Sequence, residues 1–475
     1  MKLVRAAKAL LSLIVIIPNI SFGTSLSLND FLKQVQEKNQ SIVASKLSEE
    51  GALDRSNEGK LIFRPSLFAQ AQSAIDKKPT TNKNAQGDRT DHNLFTAGLM
   101  QQFNFGLQSK LTYNISHTII YNASPAFLPQ NNFYDGMLTL ELTQSLLRNF
   151  FGVENQSLET ISTSQAKASK LTEQFKVRTI ISLAESLYWS LSQMRKIVKV
   201  QKESFDRAEK IRNWSKKRLN SGLGESSDFL QADANYKARE YELLNALQEE
   251  KNIHRSINSM RGVDSDIFEE DLESVDSTKI KELELPKRMA VRDDTAAAFE
   301  LEKIAKANAA LSIEKNKPTF EVYGTYALNG RSREKDIAVT NTFKNEHDTR
   351  AIGLRFVTPI DLLTTNNNIN GYKKEQMAAE QNYQRKVFDQ EALWNDLTSK
   401  FRDAKIKLTL VEKIVEAQKI KAGNERERLN KGRTVTFQVL NFEQDYAQSE
   451  LAKIQSESSI LNIYAQLKTF SEGGN

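Results

Sequence analysis

Histidine and cysteine, two residue types that commonly carry out catalysis or bind metals, are sparse or absent in this sequence. The four histidines, His92, His117, His254 and His347, lie far apart, and cysteine is absent. Metal and redox sites need several such ligands at short spacing. No phosphate-binding loop, dinucleotide fingerprint or nucleophile elbow occurs either. The sequence therefore predicts neither an enzyme nor a cofactor or metal site.

The N-terminus has the features of a secretory signal peptide. Lys2, Arg5 and Lys8 precede an apolar run over 9–17, and the predicted cleavage site follows Gly23. The alternative, a membrane-anchoring helix, would need about 20 apolar residues. Without cysteine, neither a disulfide nor a lipid-modified cysteine is expected. Removal of the three cations lowers the formal charge of +6, which leaves no reason to expect nucleic-acid binding.

Two long stretches without proline, 130–285 and 360–475, predict long helices, because proline inside a helix costs about 3 kcal/mol. Apolar residues in both stretches recur at alternating steps of four and three, the pattern of a coiled-coil seam. The first series is Ile180, Ala184, Leu187, Leu191, Met194 and Val198. The second is Tyr383, Val387, Gln390, Trp394, Leu397, Phe401, Ala404, Leu408, Val411, Val415 and Gln418, in which only the two glutamines are polar. Helices over about 146–221 and 360–431 would each be about 105 Å long.

The segments before the long helices alternate between apolar and polar residues, which is typical of strands with one apolar face. For example, Leu111, Tyr113 and Ile115 alternate with Thr112 and Asn114. We predict strands over about 61–75, 93–105, 107–119 and 134–144, and over about 319–329 and 350–358. No stretch after the signal peptide is apolar enough for a membrane helix, so a membrane-embedded form would be a closed β-barrel. Half-buried strands of a soluble sandwich would alternate in the same way.

The chain contains an internal repeat. Seven residues recur at a constant shift of 210 (428 − 218): Arg218, Leu219, Asn220, Gly222, Leu230, Tyr236 and Glu240 match Arg428, Leu429, Asn430, Gly432, Leu440, Tyr446 and Glu450. The first repeat is predicted over 24–262 and ends in a returning helix over about 225–261. The second, over 286–475, is predicted to begin with a helix over about 286–316 and to end in one over about 434–470. The equatorial linker between them, 263–285, has no predicted role.

This order of elements resembles the TolC family of outer-membrane efflux proteins, in which each half has a helix, strands, a long helix, a glycine turn and a returning helix. The segment LELTQSLLRN, 140–149, is similar to the strand-to-helix passage of the family, although Ser145 and Asn149 replace the usual proline and glycine. The resemblance covers essentially the whole mature chain. It implies an α+β membrane protein whose three protomers close a transmembrane β-barrel, which a long α-helical coiled-coil tunnel continues into the periplasm. Family members commonly contribute four strands each to a twelve-stranded barrel, so the extra hairpin near Phe103 either enlarges the barrel or lies outside it.

The resemblance also implies two sites at the periplasmic tip. The turns would dock a periplasmic adaptor protein tied to an inner-membrane pump, through Arg218, Leu219, Gly222, Arg428, Leu429 and Gly432. Alternatively, glycine only caps each helix and arginine complements its dipole. A gate would be lined by Asp228, Gln438 and Asn441, where the best-known members have carboxylates. Three copies of Asp228 would form an acidic ring, or Asp228 only favours the N-terminus of the returning helix.

The predicted function is therefore a homotrimeric channel in the cell outer membrane that extends into the periplasm. It would be the passive exit duct of a tripartite efflux pump or of a type I secretion system, in contact with outer-membrane lipid, the adaptor and the pump. Two rival interpretations are a structural periplasmic coiled-coil protein and an autonomous porin. The sequence identifies neither the cargo, whether drug, metal ion or polypeptide, nor the adaptor and pump.

Overall fold

The computed structural model describes residues 25–273, 276–344 and 346–471, so the predicted signal peptide, 1–23, lies outside the described residues. The chain divides into two compact units. One consists of the residues up to Val43, Arg178–Arg288 and those from Asn395 onward, and the other consists of Ala44–Val177 and Met289–Trp394.

Helices dominate the described residues. In chain order they are α1 (Leu28–Lys38), α2 (Gln40–Asp54), α3 (Lys83–Gln86), α4 (Val153–Asn220), α5 (Ser226–Met260), α6 (Ser277–Glu282), α7 (Asp293–Lys315), α8 (Lys335–Thr342), α9 (Leu362–Asn430) and α10 (Thr436–Leu467). The two longest, α4 and α9, have 68 and 69 residues. Each is followed by a short turn and a returning helix, which is α5 after α4 and α10 after α9.

A single antiparallel sheet contains the six strands of the described residues. They are β1 (Ser66–Asp76), β2 (Arg89–Gln102), β3 (Leu107–Tyr121), β4 (Asn132–Ser145), β5 (Thr319–Ser332) and β6 (Asp348–Val357), and they lie in chain order across the sheet. The hairpin near Phe103 is therefore part of the same sheet as the other strands.

The two faces of the sheet differ because the strand register aligns like residues across it. Leu67, Leu99, Leu111 and Leu140 lie side by side in one row on β1 to β4. The neighbouring row on the opposite face contains Thr112 on β3 and its partner Thr139 on β4. The alternation in the sequence thus becomes one apolar and one polar face.

The first strand begins later than its predicted start at residue 61. Residues Arg55–Phe63 form a 3₁₀ helix, and the backbone becomes extended at Arg64, with φ −76° and ψ 141°. The physical reason is Pro65, because the residue before proline is driven out of the helical region. β2 begins earlier than its predicted start at 93, because Arg89 pairs with Tyr121 of β3.

The long helix α4 begins at Val153 and not near residue 146 as predicted. Asn149 and Phe151 have positive φ values of 58° and 52° and precede the first turn of the helix. The side-chain oxygen of Asn149 accepts hydrogen bonds from the backbone N–H groups of Glu154 and Asn155, at 3.0 and 3.3 Å. Asparagine tolerates positive φ better than other non-glycine residues and can cap a helix. Asn149 therefore both takes the left-handed backbone conformation before α4 and caps the start of this helix.

Three further segments differ from the predicted boundaries. The predicted helix over 286–316 begins only at Asp293, because Arg288 pairs with Ser471 as an isolated β-bridge. The predicted linker 263–285 contains α6, whose Ile280 is fully buried. The polar segment after β5 contains α8, whose Ala338 and Thr342 are also fully buried.

Two glycines that face each other on β4 and β5 allow α8 to approach the sheet. Gly136 pairs with Gly330 in the strand register. A Cβ atom on Gly330 would lie 2.3 Å from the backbone nitrogen of Thr342 and 2.5 Å from the carbonyl oxygen of Ala338. A Cβ atom on Gly136 would lie 2.2 Å from the Thr342 hydroxyl oxygen. Only glycine therefore fits beneath α8 at these two positions.

Replacement of Gly330 by alanine is expected to displace α8, at a cost of about 1–3 kcal/mol, because the added methyl group meets backbone atoms that cannot rotate away. Faster hydrogen exchange over 335–343 would reveal the displacement. Gly324→Ala is the matched control, since Gly324 lies on the same strand and its Cβ would be 3.9 Å from the nearest atom. Unchanged exchange in Gly330→Ala would contradict this account of how α8 packs.

Candidate functional site

The turn between α4 and α5 is closed by hydrogen bonds that end α4. The Gly222 N–H donates to the Leu219 carbonyl at 3.0 Å, and the Leu223 N–H donates to the Arg218 carbonyl at 2.9 Å. Gly222 has a φ of 71°, and a Cβ there would meet no atom within 4 Å. This pair of bonds around a left-handed glycine is the Schellman motif.

The turn between α9 and α10 repeats the same geometry. Gly432 N–H donates to the Leu429 carbonyl at 2.9 Å, and Arg433 N–H donates to the Arg428 carbonyl at 2.8 Å. Gly432 has a φ of 69°. Both glycines are therefore required by backbone conformation, which is the capping role that the sequence left as an alternative.

The two repeated leucines lie in different surroundings. Leu429 is 4% exposed and belongs to a hydrophobic cluster, against which Trp214 packs; its other members are Ile211, Ala232, Val439 and Leu440. This cluster joins α4, α5, α9 and α10, so it brings both turns together. Leu219, by contrast, is only half-buried. The repeat therefore conserves the turn but not the packing of its leucine.

The two repeated arginines also have different partners. The Arg218 guanidinium lies over the Trp214 ring, 4.9 Å from its centroid, and Nη2 donates to the Leu223 carbonyl at 2.7 Å. Arg428 instead pairs with Glu425, with 3.1 Å between Nη1 and Oε2. Arg218 is thus held across its own turn, whereas Arg428 is paired within its own helix.

Large apolar side chains are exposed on and beside both turns. These are Leu223, Leu230, Val435 and Phe437, which are 69%, 62%, 61% and 52% exposed. Leu223, Val435 and Phe437 are not among the site residues predicted from the sequence. Apolar residues in and just after a polar turn were the available signal, because exposed apolar patches mark contact surfaces.

The three predicted gate residues lie at the starts of the returning helices. Asp228 is half-buried in the first turn of α5, while Gln438 and Asn441 are exposed on α10. Within the described part of the chain, Asp228, Gln438 and Asn441 form no hydrogen bond or ion pair with one another. A carboxylate in the first turn of a helix is stabilised by the helix dipole, whatever its other role.

A buried carboxylate that was not predicted from the sequence links three of the helices near the turns. Glu443 of α10 is 8% exposed. Its Oε2 accepts from Nε of Arg207 on α4 at 2.8 Å, and its Oε1 lies 2.6 Å from Nε of Arg426 on α9. Such charge-assisted contacts are stronger than those between neutral groups. Spacing along the chain gave no signal, because the three residues come from three separate helices.

The Arg207 guanidinium also lies over the ring of Tyr446, 5.4 Å from its centroid. The Tyr446 hydroxyl donates to Glu450 Oε1 at 2.7 Å. Burial, together with this acceptor, raises the pKa of Tyr446 to about 12. Tyr446 therefore stays neutral at physiological pH and serves as a hydrogen-bond donor.

The described residues contain no helix that is both long and apolar enough to cross a membrane. Nor do they contain a cluster of three or more histidine or acidic side chains placed to bind a metal ion. The geometry therefore defines an α+β chain in which an apolar-faced antiparallel sheet accompanies two long helices that reverse at capped turns.

Several solved structures of outer-membrane proteins resemble this fold. No family model and no curated protein matches the sequence. Among solved structures, the outer membrane protein VceC from Vibrio cholerae is 15% identical, covers 94% of this chain and 97% of its own, and has a TM-score of 0.67. The outer-membrane channel OprN is 15% identical over 93% of this chain and 89% of its own, with a TM-score of 0.67. The outer membrane channel CmeC from Campylobacter jejuni is 16% identical over 94% of this chain and 87% of its own, with a TM-score of 0.66.

The predicted resemblance to the TolC family is thus confirmed at the level of the fold. The α+β fold class is confirmed with it, since the described residues contain long helices and one sheet.

Proposed function

We propose that this chain is one protomer of a homotrimeric outer-membrane channel, a passive exit duct that extends into the periplasm and catalyses no reaction. The fold shared with outer-membrane channels supports this proposal. The observation that carries it is the apolar face of the sheet, where large side chains are exposed instead of covered. They include Leu67, Phe95, Leu99, Leu111, Leu140, Leu142, Ile352, Leu354 and Phe356.

A soluble sandwich would cover such a face with a second sheet or with helices. In this chain α8 packs on it, at the paired glycines of β4 and β5. Contiguous exposed apolar surface of this extent is characteristic of a membrane or partner interface. Outer-membrane lipid is the proposed neighbour, and the polar face would line water, as in membrane barrels.

An exposed apolar stripe on α9 supports assembly with further copies. The middle of the predicted seam of α9 is buried within the chain, with Leu397, Phe401 and Leu408 at most 4% exposed, whereas Val387 near its start is 37% exposed. A second stripe, Ile406, Leu410, Ile414 and Ile420, is 49–62% exposed. Helices with apolar residues on two faces pack against two sets of neighbours. Neighbouring protomers would cover the second stripe and close a helical tunnel.

The capped turns are the proposed docking surface for a periplasmic adaptor protein tied to an inner-membrane pump. Arg218, Leu219, Gly222, Arg428 and Gly432 lie on or beside its surface, whereas Leu429 would support it from within. The exposed side chains of Leu223 and Phe437 extend the proposed surface. Energy for export would come from the pump. The channel would carry the cargo of either an efflux pump or a type I secretion system.

Single-channel conductance of the purified protein in planar bilayers tests this function, after crosslinking has established the oligomer. A gated duct should give small, mostly closed conductances from a trimer. Large and steadily open currents would favour an autonomous porin. If well-folded protein failed to insert into the bilayer, the result would favour the rival function of a structural periplasmic coiled-coil protein.

Replacement of Asp228 by alanine is expected to lower the cation preference of the open channel by a few-fold. Three carboxylates in a constriction raise the local concentration of cations, and their removal abolishes this effect. The measurement is the reversal potential under a salt gradient. Asp233→Ala is the control, since Asp233 lies on the same helix but pairs with Arg212. An unchanged reversal potential in Asp228→Ala would leave Asp228 with only a helix-stabilising role.

A further inference from the structure

The two edge strands of the sheet have no neighbour on their outer sides within the described residues. Their side chains are correspondingly exposed, with Leu67 on β1 at 86% and Ile352 on β6 at 84%. An unpaired edge exposes a row of N–H and C=O groups that another strand can pair with. Inside a bilayer these groups have no water to bind, so the edge must be paired.

Strands β1 and β6 are complementary to each other. They have 11 and 10 residues, close to the length of a strand that crosses a bilayer. Every neighbouring pair in the six-stranded sheet is antiparallel, so β1 and β6 run in opposite directions. Leu67 and Ile352 both belong to the apolar face by register. The β6 strand of a second copy would therefore extend the sheet at β1 with its apolar face continuous.

The hairpin of β2 and β3 is an integral part of this sheet. Its turn is closed by a hydrogen bond from the Phe103 N–H to the Leu107 carbonyl at 2.8 Å. On one side of the hairpin, β2 pairs with β1 along the full length of β1. On the other side, β3 pairs with β4 over residues 107–119. Removing the hairpin from the sheet would break both ladders, and each buried, unpaired backbone group would cost about 1–3 kcal/mol. All six strands must therefore stay together.

We infer that three copies of this chain close one eighteen-stranded barrel, with β1 of each copy paired to β6 of the next. The inference deepens the proposed function and rests on it. Barrel diameter grows roughly linearly with strand number. The barrel is therefore about half as wide again as the twelve-stranded barrel that the family resemblance implies.

The helix α8 packs on the apolar face of the sheet, not on the polar face that would line the lumen. Gly136 and Gly330, which contact α8, share the row of Ile115, and this row lies on the apolar face. The helix consequently leaves the lumen free. Barrels of 16–18 strands enclose an open aqueous channel. Selection of cargo by size must then occur away from the barrel, and the barrel itself admits cargo as large as a polypeptide chain.

Electron cryo-microscopy of the trimer in nanodiscs of phosphatidylethanolamine and phosphatidylglycerol tests the inference by counting strands. Eighteen strands, with β1 against β6 of the neighbour, is the expected result. A twelve-stranded barrel with one hairpin outside the wall would overturn the inference while leaving the proposed channel intact. Absence of any trimeric barrel would instead overturn the proposed function. The two failures are thus distinguishable.

Disulfide crosslinking in intact membranes gives an independent test, because the natural sequence has no cysteine. Ala69→Cys on β1 is combined in turn with Arg350→Cys, Ile352→Cys or Leu354→Cys on β6. At least one combination should give reducible dimers and trimers of the chain. Leu111→Cys on β3 with the same β6 partners is the matched control, since β3 lies inside the sheet. Crosslinks from Leu111 in place of Ala69 would overturn the inference, because they would make β3 the edge.

Discussion

Replacement of Leu429 by alanine is expected to destabilise the packing of the two turns by about 2–5 kcal/mol. The side chain is 4% exposed and packs in the cluster with Ile211, Val439 and Leu440. Truncation removes the transfer free energy of the lost methyl groups and leaves a cavity that rigid helices fill only in part. Faster hydrogen exchange over 425–440 in the purified protein measures the loss.

Leu219→Ala is the matched control, because Leu219 occupies the equivalent position of the first repeat but is only half-buried. It should cost about 1 kcal/mol or less. If both leucines acted only by contacting the adaptor, the two variants would weaken adaptor binding equally and leave hydrogen exchange unchanged. Equal exchange in the two variants would contradict the asymmetry of the turns.

Glu443→Gln is expected to loosen α10 from α4 and α9 and to increase the open fraction of the proposed channel. The carboxylate pairs with Arg207 and Arg426, and its side chain is 10% exposed. Without it, two guanidinium groups face each other with less compensating charge. Breaking a buried ion pair costs about 3–5 kcal/mol, and the lower end applies because the Arg426 side chain is 39% exposed.

Asp445→Asn provides the control for this charge effect. Asp445 also lies on α10, and its carboxylate is 3.5 Å from Lys421 of α9, but both side chains are more than 40% exposed. An exposed ion pair of this kind contributes about 0–1 kcal/mol. Open probability in planar bilayers and hydrogen exchange over 436–450 are the measurements. If the Glu443→Gln variant had the same hydrogen exchange and the same open probability as the Asp445→Asn variant, Glu443 would not hold the helices together.

Much of the fold could be predicted from periodicity. Steps of four and three describe residues that return to one face of a helix, and steps of two describe one face of a strand, so the pattern reports burial directly. The prolines were equally informative, since Pro65 and Pro318 each precede a strand. The helix α8 escaped prediction because its eight residues are mostly polar and are held by a glycine pair on two strands.

The candidate site was predictable only in its backbone. The glycines of both turns follow from sequence, because positive φ at the end of a helix is a local requirement. The burial of Leu429 and the exposure of Leu223 are not local, since they depend on which faces of four helices meet.

The sequence by itself determined the long helices, the alternating strands and the two glycine turns, because each depends on neighbours within a few residues. It also determined the tandem repeat, because a constant shift of 210 is visible without any contact between the copies. Only the tertiary structure decided that all six strands share one sheet, that Glu443 lies between two arginines, and that equivalent leucines differ in burial. Each of these features includes a contact between residues more than 100 positions apart, and such contacts depend on the packing of whole elements, which no local spacing records.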